Sequence, residues 1–402
     1  MVRGEIASDR LLGNLLELCY HIPMITTFYL PTRIIFGCGS LACLGAEAAK
    51  LGHRALLVTG TSSMRRRGVL DRVVNDLRSC RVETLVFDRV SPNPRAATVD
   101  EGATIVRESG LDLVIGLGGG SAMDAAKGIA LASSGGKPIW HYIETGTEAE
   151  GPVPPLILVA TVAASGSEAN NGAVITNQPT HEKRVLNSAH LFPRVSIVDP
   201  ELTLGLPART TAQGGVDIFC HLVEPYLTAD NPSPLTDGIV EAALRLVVDY
   251  LPRVLKKLDD IEARSQLCWL STIACSQVTS LGGGDGAMTL HGIEHPLSGY
   301  YDIAHGDGLA ALLPAWMRYT LPLRRPRFGS LGENVFGQPD GLLATEQWLE
   351  GIGMRLRLRD LGIEEGRLKE LADNAVTTAP WLKMHPRRLD SAAITQIYRD
   401  SY

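Results

Sequence analysis

Apolar positions come in short continuous runs through the first half of the chain and at helical spacing through the second. Between residues 28 and 199 the runs 54–59 (RALLVT), 82–87 (VETLVF), 111–117 (LDLVIGL), 156–160 and 195–198 are bounded by Gly, Pro or charge. That is the pattern of strands buried on both faces. Residues 68–79 (GVLDRVVNDLRS), 97–109 and 121–133 lie between them and repeat apolar residues at helical spacing. Strand and helix in alternation predict a parallel α/β sheet. After Leu206 the strand signal fades, and residues 208–228, 235–258 and 261–281 predict helices broken at Pro and Gly. The pattern therefore predicts an N-terminal α/β domain over 1–206, followed by an all-helical domain over 207–402.

Length supports two domains, because 402 residues exceed what one hydrophobic core usually serves. Residues 11–22 are apolar in part but carry Glu17 and His21, lack a small-residue cleavage site and are too short to span a bilayer. They read as an N-terminal extension, with an amphipathic helix favoured over a targeting signal. A formal charge of −6 and a pI near 6.0 supply no basic footprint, which argues against nucleic acid or an anionic membrane as partner. The short basic clusters at 324–327 (RRPR) and 355–359 read as solvated faces. Seven cysteines, odd in number and without a CxxC pair, indicate neither a disulfide framework nor a zinc ribbon. A reducing, cytoplasmic compartment fits them best.

The candidate chemistry lies in the second half. Asp217 and His221 stand four residues apart in GGVDIFCHLVEPY, as do His291 and His295 in HGIEHPLSGYYDIAHG, and His305 follows ten residues later. On a helix the i, i+4 spacing puts both members of a pair on one face, where they can aim at a single ion. Imidazoles with one carboxylate suit Zn²⁺ or Fe²⁺ better than the oxygen-seeking Mg²⁺ or Ca²⁺. A lone histidine is more often a core or surface residue, and His21, His53, His141, His181, His190 and His385 read that way. Cys220 neighbours His221 but points about 100° away on a helix, which disfavours it as a ligand.

A second candidate site precedes the first. Residues 111–130, LDLVIGLGGGSAMDAAKGIA, run from a buried strand through three glycines into a helix. Such a turn brings backbone N–H groups and a helix N-terminus to a pyrophosphate. A tight strand-to-helix turn also uses Gly for steric reasons alone, and both readings stand at this point. Neither GxGxxG order nor a GK[ST] ending is present, which disfavours a P-loop.

Taken together, GGGSAMDAAK, DIFCHLVE and HGIEHPLSGYYDIAHG resemble the iron-containing (group III) alcohol dehydrogenase family. The likeness extends to LPTRIIFGCGS, SPNP, ATVAASGSEANNGAVIT and DPELTLGLPARTTAQGG, and is nearest to the butanol dehydrogenase and aldehyde reductase branch. The resemblance implies a Rossmann-like parallel α/β dinucleotide-binding domain, then an all-helical metal-binding domain, the dehydroquinate synthase-like fold. It implies Asp217, His221, His291 and His305 as metal ligands and His295 as a pocket histidine able to relay a proton. For the cofactor it implies Asn93, Gly119, Gly120, Ser121, Asp124, Thr161, Val162, Ser165 and Lys183. Asp124 could instead serve only the helix dipole, and Glu168 could be a helix-start residue. Glu224 would support the site from outside the ligand shell. The departures are Val162, where a second Thr is common, and Ile218, where Ala often follows the aspartate. The match is weak after Phe328.

The turn after RALLVT reads Gly60 to Arg67, GTSSMRRR, without the Asp that NAD-preferring members commonly carry at Gly60. Ser62, Ser63 and the nearby arginines favour NADP(H) over NAD(H), unless those arginines simply face solvent. The expected activity is hydride transfer between NAD(P)(H) and a small primary alcohol or aldehyde, with one divalent metal, Fe²⁺ or Zn²⁺. A homodimer or higher homo-oligomer is the expected assembly. A dehydroquinate-synthase-like lyase and a non-catalytic scaffold holding metal and nucleotide are the alternatives.

Overall fold

The computed structural model describes residues 27–231, 233–281 and 286–402, so the expected N-terminal extension at 11–22 lies outside the described residues. The apolar runs form a six-stranded sheet of β1 (Arg33–Phe36), β2 (Arg54–Gly60), β3 (Glu83–Val90), β4 (Leu113–Gly118), β5 (Leu156–Ala160) and β8 (Val195–Val198). A separate antiparallel hairpin pairs β6 (Gly172–Asn177) with β7 (Glu182–Asn187). The larger sheet is parallel throughout, in the order β1-β8-β5-β4-β2-β3. Side chains alternate across a strand. Accordingly Val114 and Leu158 join the core on one face, while Leu113, Ile115 and Val159 join the core on the other. Covering both faces with helices is what makes the strands read as unbroken apolar runs.

The sequence reading misses β1 and the β6–β7 hairpin. Glu182, Lys183 and Arg184 put three charges in succession on β7, which hides the strand pattern. Chain direction across the sheet reverses at β2 and β4. The chain moves outward from β2 to β3, returns to β4, and then proceeds through β5 and β8 to the other edge. Ligands of open α/β sheets bind at the carboxyl ends of strands flanking such a reversal. Both predicted cofactor stretches follow those strands, Thr61–Ser63 after β2 and the glycine turn after β4.

Helices dominate from Ala208 onward. The helices Ala208–Thr228, Pro234–Lys256, Ile261–Ala274, Thr289–Tyr301 and His305–Leu331 contribute to one core that includes Val216, Phe219, Leu244, Leu267, Ile293, Leu312 and Trp316. The expected helix over 261–281 stops at Ala274 and gives way to a short 3₁₀ turn, Gln277–Ser280. The RRPR stretch corrects the expectation of a solvated face. Arg324 donates at 3.2 Å to the carbonyls of Leu227 and Thr228, which end the Ala208–Thr228 helix. Arg327 pairs with Asp237 at 2.9 Å and lies 4.5 Å from the Tyr226 ring centre. Terminal helix carbonyls have no partner within their own helix, and here a guanidinium supplies one.

Candidate metal centre

Three helices deliver the predicted ligands to one buried point. The Ala208–Thr228 helix carries Asp217 and His221 on one face, the Thr289–Tyr301 helix carries His291 and His295, and His305 is the first residue of the His305–Leu331 helix. Nε2 of His291, His221 and His305 lie 3.4, 3.8 and 3.9 Å from Asp217 Oδ1. Asp217, His291 and His305 alone already form a grouping with ligand spacing. The His221 and His291 rings stack with centres 4.5 Å apart. Two imidazolium ions would repel at that separation, whereas two neutral rings sharing a cation would not. The donor set and its convergence fit a divalent metal of the zinc or iron kind.

Buried carboxylates hold the far side of two of these rings. Glu224 faces His291 Nδ1 through Oε1 and accepts from the Leu290 and His291 backbone N–H groups at 2.6 and 3.2 Å through Oε2. Glu294, absent from the sequence-derived site, faces His305 Nδ1 and accepts from Ser298 Oγ. Both glutamates are fully buried. A carboxylate on Nδ1 fixes the tautomer, turns Nε2 inward and raises its basicity. One signal in the sequence could have found Glu294: an acid inside the apolar helix HGIEHPL, three residues after His291. Glu294→Gln keeps the volume and removes the charge. It is expected to weaken Co²⁺ binding, read from the visible absorption of the bound ion, by about 10-fold. An unchanged titration would leave Glu294 only a packing role.

The protein's own charges tune this cluster strongly. Burial pushes Asp217 toward protonation, but His221, His291 and His305 outweigh it and hold the carboxyl below its ordinary range. Burial likewise acts to lower His291, yet Glu224 and Asp217 hold it up at about 10. A divalent cation would compete with that proton for Nε2. His295, one turn beyond His291, goes the other way. Burial, reinforced by Lys183, His305 and His291, holds it well below the usual imidazole value. It is therefore neutral, and its buried Nδ1 has no partner among the described residues. Burial with help from Glu224 and Asp217 raises the Cys220 thiol far above its ordinary value, so no thiolate is available there. His385 is structural, bonded to Thr320 Oγ1 and the Arg387 carbonyl.

The glycine turn lies at the end of β4. Gly119 precedes the Gly120–Gly135 helix, whose second residue is Ser121. A Cβ on Gly120 would come within 2.8 Å of Ser165 Oγ, so the predicted 161–165 loop touches the turn directly. Thr161 N–H donates to the Gly118 carbonyl at 3.0 Å, and Val162 borders Gly119. Asp124 spends its carboxylate on Ser167 Oγ at 2.7 Å and Val174 N–H at 3.0 Å. Glu168 is buried at a 3₁₀ turn and accepts from Thr272 Oγ1 at 2.7 Å. Lys127, in the helix that follows the turn, is fully buried and donates to Asn170 O, Asn170 Oδ1 and Gly172 O at 2.8–2.9 Å, a structural anchor for that helix. Asn93 and Lys183 meet each other, Lys183 Nζ donating to Asn93 Oδ1 at 3.1 Å, with Glu294 Oε2 at 3.9 Å from the same ammonium. At the β2 turn Arg66 donates to Ser62 Oγ at 2.8 Å, Arg65 pairs with Asp88, and Arg67 donates to the carbonyls of Leu202 and Leu204.

Known proteins resemble the chain throughout. The family profile described as iron-containing alcohol dehydrogenase matches residues 31–200, and that for the C-terminal part of the Fe-containing alcohol dehydrogenase family matches 211–402. The NADH-dependent butanol dehydrogenase B of Clostridium acetobutylicum is 36% identical over 93% of this chain and 98% of its own. The NADPH-dependent aldehyde reductase YqhD of Escherichia coli is 31% identical over 86% of this chain and 92% of its own. The crystal structure of NADH-dependent butanol dehydrogenase A from Thermotoga maritima superposes with a TM-score of 0.88 at 32% identity, covering 94% of this chain and 98% of that one.

Proposed function

Because the chain belongs to the iron-containing alcohol dehydrogenase family, we propose that Asp217, His221, His291 and His305 hold one divalent metal, Fe²⁺ or Zn²⁺, beside a dinucleotide on the Gly118–Gly120 turn. The protein is an NAD(P)-dependent alcohol and aldehyde oxidoreductase. The observation that carries the site assignment is the convergence of three imidazole Nε2 atoms on one Asp217 oxygen at 3.4–3.9 Å.

Bound there, the ion supplies Lewis acidity that polarises a carbonyl or acidifies an alcohol, and the nicotinamide supplies or takes the hydride. The chain's residues do the positioning. Glu224 and Glu294 hold two ligand rings in register. The start of the Gly120–Gly135 helix offers free N–H groups to a pyrophosphate. His295, held neutral by burial and by Lys183, His305 and His291, is the proposed relay, passing a substrate proton onward rather than retaining it. Short to medium primary alcohols and their aldehydes are the proposed substrates, and a homo-oligomer, most simply a dimer, the proposed assembly.

NADP(H) is the proposed preference. It is supported by Gly60 where a carboxylate would repel a 2′-phosphate, and by Arg66 standing on Ser62. Arg65 and Arg67 are committed to protein partners, which narrows the basic contribution to Arg66. The names of the relatives state NADH more often than NADPH, so the preference rests on this chain's own residues at the β2 turn. Metal-stripped protein reconstituted anaerobically with Fe²⁺ or Zn²⁺ tests both parts through oxidation of NADPH or NADH with butanal. Turnover restored by metal is expected, with kcat/KM for NADPH about 10-fold above NADH, the worth of one charge-assisted hydrogen bond. A ratio favouring NADH overturns the coenzyme preference. Turnover untouched by stripping overturns the metal site.

A further inference from the structure

Two residues with left-handed backbone face each other between the sheet-bearing half and the helical half. Asn93 has φ +51° although it precedes Pro94, and Asp302 has φ +54° at the end of the Thr289–Tyr301 helix, where Gly is the usual occupant. Such conformations persist only where the surroundings impose them. Here the surroundings are each other. Asn93 Nδ2 donates to Asp302 Oδ1 at 2.8 Å and to the Ile303 carbonyl at 3.3 Å, and Arg95 Nη2 meets Asp302 Oδ2 at 2.7 Å. His305 begins the next helix only three residues beyond Asp302.

We propose that Asp302 is a positioning residue that ties the dinucleotide seat to the metal ligand His305. The proposal rests on the ligand and cofactor assignments above. A carboxamide has two N–H donors and an oxygen with two lone pairs. Asn93 commits its nitrogen to Asp302 and Ile303, and one lone pair of its oxygen to Lys183. What remains for a dinucleotide is the second lone pair of Oδ1, a partner for a ribose hydroxyl. A flipped amide would set its N–H groups against the Lys183 ammonium and its oxygen against the Asp302 carboxylate, so these two charges decide which atom the cofactor meets.

The same contacts hold the turn that carries His305. Lys183 extends the connection to Glu294 Oε2 at 3.9 Å, and Glu294 faces His305 Nδ1. The Arg95–Asp302 pair is half-exposed on the Asp302 side and is worth little by itself. Its effect is to orient the carboxylate so that the other oxygen meets the buried amide of Asn93. Filling the seat and placing His305 thus draw on one set of contacts, and linkage requires the influence to run both ways.

Titrations on the intact protein test this. NADPH binding is followed by its fluorescence with and without Co²⁺, and Co²⁺ binding by its visible absorption with and without NADPH. The parent is expected to show each ligand tightening the other by about 5-fold or more. Asp302→Gly suits the left-handed backbone but removes the carboxylate, and is expected to bring that factor close to one. Asp302→Asn keeps an acceptor for Asn93 and is expected to retain most of it. Parent-like coupling in Asp302→Gly overturns the proposal, even if its melting temperature falls. So does a parent that binds both ligands without coupling. A parent that binds no Co²⁺ overturns the metal-site assignment itself, which keeps the two failures distinct.

Discussion

Asp217→Ala is expected to eliminate tight divalent metal binding and to lower kcat/KM for aldehyde reduction by about 1,000-fold or more. The carboxylate is the one anionic donor, and Nε2 of His221, His291 and His305 all lie within 4 Å of its Oδ1. Lewis-acid stabilisation of a developing oxyanion is worth several kcal/mol, and each 1.36 kcal/mol is a decade in rate. Removing the carboxylate also leaves His291, held up at about 10 by Glu224 and Asp217, with only one of those two anions. Metal content after dialysis and steady-state rates on the same sample check the expectation. Folded, metal-free protein that keeps its cofactor affinity is the predicted product. If Asp217→Ala keeps a stoichiometric metal and turnover within 10-fold of the parent, the ion sits elsewhere and the cluster is only a buried ion-pair network.

Legibility differed by element for identifiable reasons. β4 and β5 were readable because helices cover both faces, leaving no polar position to interrupt the run. The Ala208–Thr228 helix was readable to the residue, with Pro207 before it and Pro225 tolerated in its last turn. The β6–β7 hairpin was not, because Glu182, Lys183 and Arg184 put three charges in succession on the strand: Lys183 reaches Glu294 on a helix, while Glu182 pairs with Arg184 within β7. Spacing singled out Asp217 with His221 and His291 with His295, resemblance named His305 rather than His295 as the fourth expected ligand, and the fold brings Asp217, His221, His291 and His305 together. Glu294 escaped because an acid among histidines on a helix has no spacing rule. Its meaning appears only when His305 arrives from the next helix. Arg324 escaped because a short basic cluster is normally solvated, whereas here it serves carbonyls almost 100 residues away in sequence. Long-range polar partners are the part of a site that local pattern does not carry.

Gly306, directly after His305, meets a steric condition with a measurable sign. A Cβ on Gly306 would stand 2.4 Å from the Gln213 carbonyl oxygen and 2.8 Å from Gln213 Cα, both of them backbone atoms of the helix that carries Asp217 one turn later. Neither atom can swing aside as a side-chain tip could, so Gly306→Ala must push apart the helices that carry Asp217 and His305. Alanine gains up to about 1 kcal/mol over glycine in a helix interior, while overpacking costs about 1–3 kcal/mol. The net effect is expected to be destabilising. Gly329 lies beyond a kink at Arg324, in the second segment of the same helical run, with nothing within 4 Å of the position its Cβ would take, so Gly329→Ala is expected to be neutral or stabilising. Opposite signs from the same substitution at a crowded and at an open helical glycine separate contact from propensity. Functionally, a shift of about 1 Å between Asp217 and His305 exceeds the roughly 0.2 Å tolerance of metal–ligand distances and is expected to cost about 100-fold in turnover. Thermal unfolding of both variants with and without Co²⁺, together with turnover, reads the result. Gly306→Ala melting at or above the parent with undiminished turnover would mean that the helices do not need this contact to hold the ligands.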